Sequence, residues 1–299
     1  MGIKGLANFI GDHGEILTNY NFRNSKVVID GCNIYHSLYL TSCDQQHGGD
    51  YDVFEDQVCK FFKALRDCSI DPYVIIDGGS DPTDKKFETV RKRAESKIDT
   101  ANMLSKGLRG ARLIPTSARQ VFKQVLSSLG VPFAQALSEA DQEIASLAQK
   151  WKCPVLSNDN DFYIFDIQAG YLPFYHFQWQ NASVQRWSSQ NDIPCKRYTT
   201  TSFCRHFNIN RQLLPVFAAI TGNDYVNLYK MGFPIRWKDN SPMEPKRKPT
   251  YTCPYQPTQP VWDPDPENKQ PNPFLPIVCS SLSVKRFHFQ GRRNRKRFI

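Results

Sequence analysis

Residues 138–161 read SEADQEIASLAQKWKCPVLSNDND, a helical pattern followed by a short apolar run and an acidic loop. Apolar residues recur at helical spacing over 140–151, which predicts an amphipathic helix with Ser138 as its N-cap. Residues 153–156 then predict a buried strand, and residues 157–161 the loop that leaves it. Helix, strand and acidic loop in this order indicate an α/β fold whose acids lie where a parallel sheet opens its ligand crevice.

Two pairs of carboxylates flank this stretch, Glu139 with Asp141 and Asp159 with Asp161. A purely structural interpretation exists for both pairs. Ser138 with Asp141 fits a capping box, and alternating Asn and Asp residues are ordinary in turns. The second pair lacks the glycine and distal glutamate of an EF-hand loop. The stretch alone therefore leaves the structural and the functional interpretation open.

Two earlier segments repeat the pattern of an apolar strand that ends in a carboxylate. Residues 26–30 read KVVID and residues 73–77 read YVIID, and a glycine follows each. A single strand-ending aspartate is most simply the cap of the next helix. Three such acids, Asp30, Asp77 and Asp159, at the ends of strands that alternate with helical patterns instead predict one parallel sheet with its acids at one edge.

The connection between the second and third of these acids is basic. Residues 78–138 contain 11 Lys/Arg and 5 Asp/Glu. Residues 83–103 predict a charged helix, residues 105–118 a flexible loop and residues 118–129 a further helix. A solvated surface helix is the structural alternative. Residues seven apart share a helix face, and two basic pairs have that spacing: Lys86 with Arg93, and Lys85 with Lys92.

Composition restricts the class of protein. With 299 residues, 40% of them hydrophobic, the chain can bury a large core in one large domain or two. Nine cysteines without a C-x-x-C pair predict reduced thiols and an intracellular protein. Cys204 and His206 lack a second pair at zinc-finger spacing. No segment is apolar enough to predict a membrane span, and the N-terminus has no signal-peptide profile.

The last third of the chain changes character. The aromatic segment 162–187 predicts hairpin strands around Gly170 and Pro173, and residues 203–220 predict a helix. Residues 231–299 hold 12 of the 20 prolines, with 13 Lys/Arg against 5 Asp/Glu, which predicts a disordered tail. Its final basic run fits a nuclear localisation signal or a phosphate-binding tail, and solvated disorder without a function is an equal alternative. The expected compartment is the nucleus, with the cytoplasm as a second.

Seven carboxylates form the candidate site: Asp30, Asp77, Glu139, Asp141, Asp159, Asp161 and Asp224. If they meet at one sheet edge, their mutual repulsion opposes folding unless cations lie among them. Mg²⁺ and Mn²⁺ prefer such oxygen ligands, and two ions roughly 4 Å apart support in-line phosphoryl displacement. The basic connection beside them suits a polyanionic substrate.

Six short segments in order carry a resemblance to a known family: MGIKGL at 1–6, VVIDG at 27–31, VIIDGG at 74–79, SEADQE at 138–143, SNDND at 157–161 and GNDY at 222–225. Through these segments the chain resembles the flap endonuclease/XPG structure-specific nucleases, and more closely the asteroid homologue branch of that family. The resemblance implies a PIN-like α/β nuclease domain over residues 1–230, with a helical arch or cap at about 79–137. It also implies two Mg²⁺ ions, for which Mn²⁺ substitutes.

The resemblance also implies roles for individual residues. The carboxylates would divide into two groups of metal ligands. One group is Asp30, Asp77, Glu139 and Asp141, and the other is Asp159, Asp161 and Asp224. Glu139 and Asp141, two residues apart, are expected in an extended lead-in, where alternate residues share a side. Lys86 and Arg93 would grip the scissile phosphate, with Lys85 and Lys92 as the second choice. In the family, an aromatic residue at one position often stacks on the terminal base pair. The corresponding residue in this chain is His36, with Tyr35 beside it.

The predicted function is metal-dependent hydrolysis of DNA phosphodiesters at flaps or single-stranded overhangs, in DNA repair. The expected partners are DNA that is branched or has single-stranded ends, and proteins of a repair complex. The chain is expected to be a monomer that does not contact membranes. A DNA-binding adaptor with a weak or inactive site is the alternative, and a PIN-type ribonuclease the third hypothesis. After Asp224, the glycine-rich helix-hairpin-helix of typical members is replaced by a proline-rich segment, so the resemblance leaves substrate geometry and cleavage polarity open.

Overall fold

A computed structural model of the chain describes residues 6–43, 48–79, 87–108, 111–184 and 191–220. The described strands are β1 Leu17–Phe22, β2 Ser25–Asp30, β3 Ile70–Ile76, β4 Phe133–Gln135, β5 Val155–Ser157, β6 Tyr171–Pro173, β7 Ser183–Val184 and β8 Asn191–Tyr198. The described helices are α1 Leu6–Gly11, α2 Gly31–Ser42, α3 Tyr51–Asp67, α4 Phe87–Ser105, α5 Ala118–Ser128, α6 Asp141–Trp151, α7 Thr200–Phe207 and α8 Leu214–Ile220. The predicted tail at 231–299 and the turn at 222–225 lie outside the described residues.

The strands form one mixed sheet in the order β1-β8-β6-β5-β2-β3-β4, with β7 paired to β8. The five strands from β6 to β4 are parallel, whereas β8 runs antiparallel to β6 and to β1. The predicted α/β fold, a mostly parallel sheet flanked by helices, is confirmed. From β2 the chain adds β3 and β4 on one side and then returns to add β5 and β6 on the other. The order therefore reverses between β2 and β5, where open α/β sheets form their ligand crevice.

The core packs tightly against one face of this sheet. Helix α3 buries Phe54, Val58, Phe61, Phe62 and Leu65, a spacing of three and four residues that gives one apolar stripe. These side chains belong to one buried cluster with residues of α2, α5 and the central strands. Helix α6 contacts β2 and β5. The central strands are thus fixed firmly enough to hold polar side chains at their carboxyl ends.

Two local predictions outside the acidic site were wrong. The chain around Gly170 forms no hairpin, because β6 pairs in parallel with β5 through Leu156 and Leu172. Gly170 turns the chain into β6 with a φ of +104°, a conformation that costs glycine little. The helix predicted over 203–220 is interrupted, since Asn208 adopts a left-handed conformation that ends α7, and α8 begins only at Leu214.

Within the described part of the chain, every helix is too short or too polar to cross a bilayer. The seven cysteines located there are all free thiols.

Candidate active site

Asp30 lies at the carboxyl end of β2 and is buried, with 7% of its surface exposed. Its carboxylate caps α2 by accepting a 3.1 Å hydrogen bond from the Asn33 amide. The Ser157 hydroxyl, at the end of β5, donates a second bond of 2.7 Å. Burial raises the pKa of Asp30 to about 6, although these two hydrogen bonds oppose the shift; the charges of Asp77 and Asp159 raise it further. The residue is thus both a helix cap and a member of an acidic pocket.

Asp77 follows β3 and anchors the segment that leads into α6. Its Oδ1 atom accepts a 3.0 Å hydrogen bond from the Ala140 amide, and its carbonyl accepts one from Arg119. The next residue, Gly78, donates a 2.6 Å bond to the Ser138 carbonyl. A Cβ atom on Gly78 would collide with the backbone of residues 136–137. Glycine is therefore required here because two backbones meet without room for a side chain.

The first turn of α6 differs from the sequence prediction. Ser138 is not the N-cap; the cap position belongs to Ala140, which has no side-chain cap, and the helix begins at Asp141. The Ala140 amide is instead satisfied by Asp77, so the entry to α6 is fixed by tertiary contact. Glu139 is exposed on the segment before the helix, whereas Asp141 is half-buried. Asp141 contributes a carboxylate oxygen to the pocket, and a role for Glu139 stays a prediction.

Asp141, Asp159 and Asp161 form the centre of the site. One carboxylate oxygen from each lies within 4.8 Å of the other two. Burial, followed by the charges of neighbouring carboxylates, raises the pKa of Asp141 to about 8. Those neighbours are Asp159, Asp30, Asp161 and Asp77, in decreasing order of effect. Five of the seven predicted carboxylates therefore share one electrostatic environment.

The division of ligands between two ions that the resemblance implied stays a prediction. Asp141 was expected to act with the first group, but its carboxylate lies beside Asp159 and Asp161. Helix α6, which begins at Asp141, packs beside β2 and β5, the strands that carry Asp30 and lead into Asp159. Asp224 lies outside the described residues, so its membership stays a prediction.

Neutral polar side chains that the sequence analysis did not single out hold the loop after β5. The Asn33 side chain accepts a 2.9 Å bond from the Asn158 amide, and the Asn158 side chain accepts one from the Tyr175 amide. Asp159 accepts a 3.1 Å bond from the Asp161 amide, which forms a short turn over Asn160–Tyr163. The sequence signal for these roles is weak, because Asn and Ser are common in any loop.

The donor set fits a hard divalent cation. All the candidate ligands are carboxylate oxygens. Burial, and then the charges of neighbouring carboxylates, raise the pKa of Asp141, and a bound cation would favour its ionised form. Asp141, Asp159 and Asp161 would hold an ion directly, with Asp30 and Asp77 adjoining them. The predicted metal-binding pocket is supported in this coarse form.

The basic helix α4 presents its charges to solvent. Lys92 and Arg93 are exposed, as is every residue described from Val90 to Asp99. Lys85 and Lys86 lie outside the described residues. In the predicted stacking position His36 is exposed, whereas Tyr35 is buried at 8% exposure and its ring packs against Phe122. His36 is therefore the residue of this pair that a nucleic acid could reach.

Comparison with known proteins gives the family. Residues 1–100 match the family described as XPG N-terminal domain. The chain is 50% identical over 230 residues to the Danio rerio protein named single-strand DNA endonuclease ASTE1, covering 76% of this chain and 33% of that protein. It is 30% identical over 276 residues to protein asteroid of Drosophila melanogaster, covering 76% of this chain and 32% of that protein. The predicted resemblance to the asteroid branch of the flap endonuclease/XPG family is confirmed.

The chain spans about a third of the length of these curated relatives. A solved structure described as the catalytic core of Rad2 in complex with DNA substrate superposes with a TM-score of 0.50, covering 76% of this chain and 63% of that chain at 17% identity. This likeness shows a shared fold, and the predicted PIN-like architecture of this asteroid-type chain is confirmed.

Proposed function

We propose that this chain is a metal-dependent DNA nuclease that hydrolyses phosphodiester bonds at flaps or single-stranded overhangs in DNA repair. The observation that carries the proposal is the meeting of Asp141, Asp159 and Asp161, with one oxygen of each within 4.8 Å. The buried Asp30 and the anchoring Asp77 complete the acidic pocket at the crevice between β2 and β5. The relatives named single-strand DNA endonuclease support DNA as the substrate.

The carboxylates would hold divalent cations, two Mg²⁺ ions in the full proposal, with Mn²⁺ as a substitute. When bound, such ions lower the pKa of a water molecule and neutralise the charge that develops on a phosphodiester. The protein's own contribution is to fix the carboxylates before substrate arrives. Ser157 and Asn33 position Asp30 from two sides, and the Ala140 amide orients Asp77.

The arch helix α4 would bind the negative backbone of the substrate. Its exposed Lys92 and Arg93 meet the electrostatic requirement for phosphate contact, and Lys85 and Lys86 extend the same stretch in the sequence. Arg93, paired with Lys86, is proposed to act on the scissile phosphate, with Lys92 and Lys85 as the alternative pair. His36 is proposed to contact the terminal base pair. A nuclear location, and protein partners from a repair complex, belong to the same proposal.

The test is cleavage of end-labelled 5′-flap, 3′-flap and overhang DNAs by the full chain, in Mg²⁺ or Mn²⁺ and in chelator. We expect cleavage that chelator abolishes and that Asp159→Asn reduces by more than about a hundredfold. Asp71→Asn is the matched control, because Asp71 is exposed on β3 and lies near its opposite end from Asp77. Cleavage that persists in chelator would contradict the proposal. So would an equal loss of cleavage in Asp159→Asn and Asp71→Asn.

The adaptor hypothesis and the ribonuclease hypothesis give different results in the same assay. An adaptor would bind branched DNA without cutting it in either metal, and Asp159→Asn would leave that binding unchanged or strengthen it. A ribonuclease would cut matched RNA flaps faster than DNA flaps. The presence of Asp30, Asp77, Asp141, Asp159 and Asp161 in one pocket favours the catalytic hypothesis over the adaptor.

A further inference from the structure

A second cluster of metal-ligating side chains lies outside the acidic pocket. It consists of His13 and Glu15, in the turn between α1 and β1, and His206, in the last turn of α7. The Glu15 Oε1 atom is 3.2 Å from Nδ1 of His206 and 3.6 Å from Nδ1 of His13. The two imidazole centroids are 5.0 Å apart. One potential ligand atom from each residue lies within 4.8 Å of the others.

The donor atoms of this cluster suit a transition-metal ion better than they suit Mg²⁺. Two imidazole nitrogens and one carboxylate oxygen form a donor set that zinc takes in proteins, whereas Mg²⁺ prefers oxygen alone. Ligands bonded to a tetrahedral zinc at about 2.0 Å lie roughly 3.3 Å from one another. The two nitrogen–oxygen distances in the cluster, 3.2 and 3.6 Å, lie on either side of that value, so the carboxylate is spaced from each imidazole much as two ligands of one zinc ion would be.

The scaffold around the cluster is well supported. The His13 carbonyl accepts hydrogen bonds from the amides of Ile16 and Leu17, which closes the turn that carries Glu15. On the other side, α7 is capped at its start by Thr199. Phe207 stacks on Phe9 of α1 with centroids 5.4 Å apart and meets the His13 ring edge-on. The backbone positions are therefore set by packing that is independent of any ion.

Space for a further ligand adjoins the cluster. A cavity of about 260 Å³ is lined by Glu15, Ser202, Arg205 and His206. Three protein ligands with an open fourth position are typical of zinc sites that also hold water or an exogenous ligand. Arg205 in the cavity wall favours an anion or a hydrogen-bonded water in that position, because it adds a second positive charge beside the ion.

We propose that His13, Glu15 and His206 form a zinc site that joins the turn after α1 to α7. The site would stabilise the fold rather than take part in hydrolysis, since its ligands come from two packed elements at the antiparallel side of the sheet. Helix α1 also contacts the turn over Asn160–Tyr163, which contains Asp161. Zinc bound here would therefore also restrain the turn that carries Asp161 in the acidic pocket.

The competing explanation is a simple ionic cluster. Glu15 could accept hydrogen bonds from two histidines with no metal present, and its exposed position makes such pairs weak. The two explanations predict different zinc affinities. An ionic cluster needs no metal for its stability, whereas a zinc site gains stability in proportion to the logarithm of the free zinc concentration.

The experiment uses the full chain with Asp159→Asn and Asp161→Asn, so that the acidic pocket contributes little to metal binding. After chelation and removal of the chelator, zinc is titrated by calorimetry. We expect one equivalent to bind, and His13→Ala, His206→Ala or Glu15→Gln to weaken binding by at least about tenfold. His176→Ala is the matched control, because His176 lies on a separate turn outside the cluster. Equal zinc affinity in the His206→Ala and control proteins would overturn the proposal.

Two further measurements keep the result interpretable if a variant folds poorly. Circular dichroism in chelator establishes whether each variant is folded before titration. Zinc-edge X-ray absorption on the parent protein, without cluster mutations, should reveal two imidazoles and only nitrogen or oxygen ligands. A shell containing sulfur would assign the zinc to cysteines and overturn the proposal. The result is independent of nuclease activity, so the two proposals fail separately.

Discussion

The Ser157 hydroxyl donates a 2.7 Å hydrogen bond to Asp30 and accepts a 2.9 Å bond from the Asp159 amide, although Asp30 and Ser157 are 127 residues apart. Ser157 is fully buried. A single hydroxyl thus fixes the end of β2 and the start of the acidic loop after β5. One neutral residue thus helps to position two acidic residues of the site, Asp30 and Asp159. Its loss should therefore affect both stability and cleavage.

Ser157→Ala should destabilise the protein by about 1–3 kcal/mol, because it leaves a buried carboxylate and a backbone amide each short of one hydrogen bond. It should also slow cleavage, since the amide of Asp159 loses the group that positions it. Urea unfolding and steady-state cleavage measure the two effects. Ser146→Ala, on the exposed side of α6, is the control and should change neither. A stable Ser157→Ala protein with normal activity would show that the bond is dispensable.

Gly78→Ala should destabilise the protein by about 1–3 kcal/mol, the usual cost of inserting a group into a packed region. Its new methyl group would collide with the carbonyl of Ala136, a backbone atom that cannot move aside alone. The displaced segment leads into Asp141, so cleavage should fall as well.

Gly79→Ala is the matched control for that substitution. A Cβ atom on Gly79 would meet nothing within 4 Å. The adjacent glycines therefore differ in space and not in residue type, and thermal unfolding of the two variants separates a steric effect from a general loss of glycine. Equal melting temperatures would mean that the two backbones separate at little cost.

Much of the fold could be predicted because its signals are local. The strand of residues 26–30 and the helix that carries Phe54 and Phe61 have apolar patterns that require no partner to be recognised. The acids at strand ends followed from the same patterns, since parallel strands place their carboxyl ends at one edge. The sequence pattern alone therefore predicts that Asp30 and Asp159 share one site.

The remaining features depend on contacts between distant segments. Strand β1 pairs with β8 through Tyr20 and Cys195, and neither strand has an alternation strong enough to predict its partner. The start of α6 was mispredicted because Asp77, and not a local cap, satisfies the Ala140 amide. The His206 ring lies beside the His13 ring only through the fold, since no sequence spacing links the two residues. Side-chain hydrogen bonds and steric fits of this kind leave no periodic signal.

The metal-free protein should lose stability as pH rises. The pKa of Asp141 is raised to about 8 and that of Asp30 to about 6, from an ordinary value of 3.8. Between about pH 4 and about pH 8 the folded state therefore binds more protons than the unfolded state, so the free energy of unfolding falls across that window. Urea unfolding in chelator at several pH values measures the slope.

Asp141→Asn should flatten this dependence, chiefly between about pH 6 and about pH 8, because it removes the titrating group and keeps the shape of the side chain. Asp71→Asn, at an exposed position, should leave the slope unchanged. Added Mg²⁺ should restore stability at high pH, since it binds the ionised carboxylates of the folded state. A slope that survives Asp141→Asn would place the titrating group elsewhere.

Arg93→Ala should reduce kcat far more than it weakens DNA binding. If Arg93 acts on charge that develops at the scissile phosphate, its loss raises the barrier and barely affects the ground-state complex. We expect the rate constant for cleavage, measured under single-turnover conditions, to fall by about 10²–10³, with Kd changed by less than about threefold. Lys150→Ala, at an exposed position on α6, is the control for loss of one positive charge. If kcat and Kd change by equal factors in Arg93→Ala, or if Lys150→Ala behaves the same way, Arg93 contributes only general surface charge, and the phosphate-binding role passes to Lys92 with Lys85.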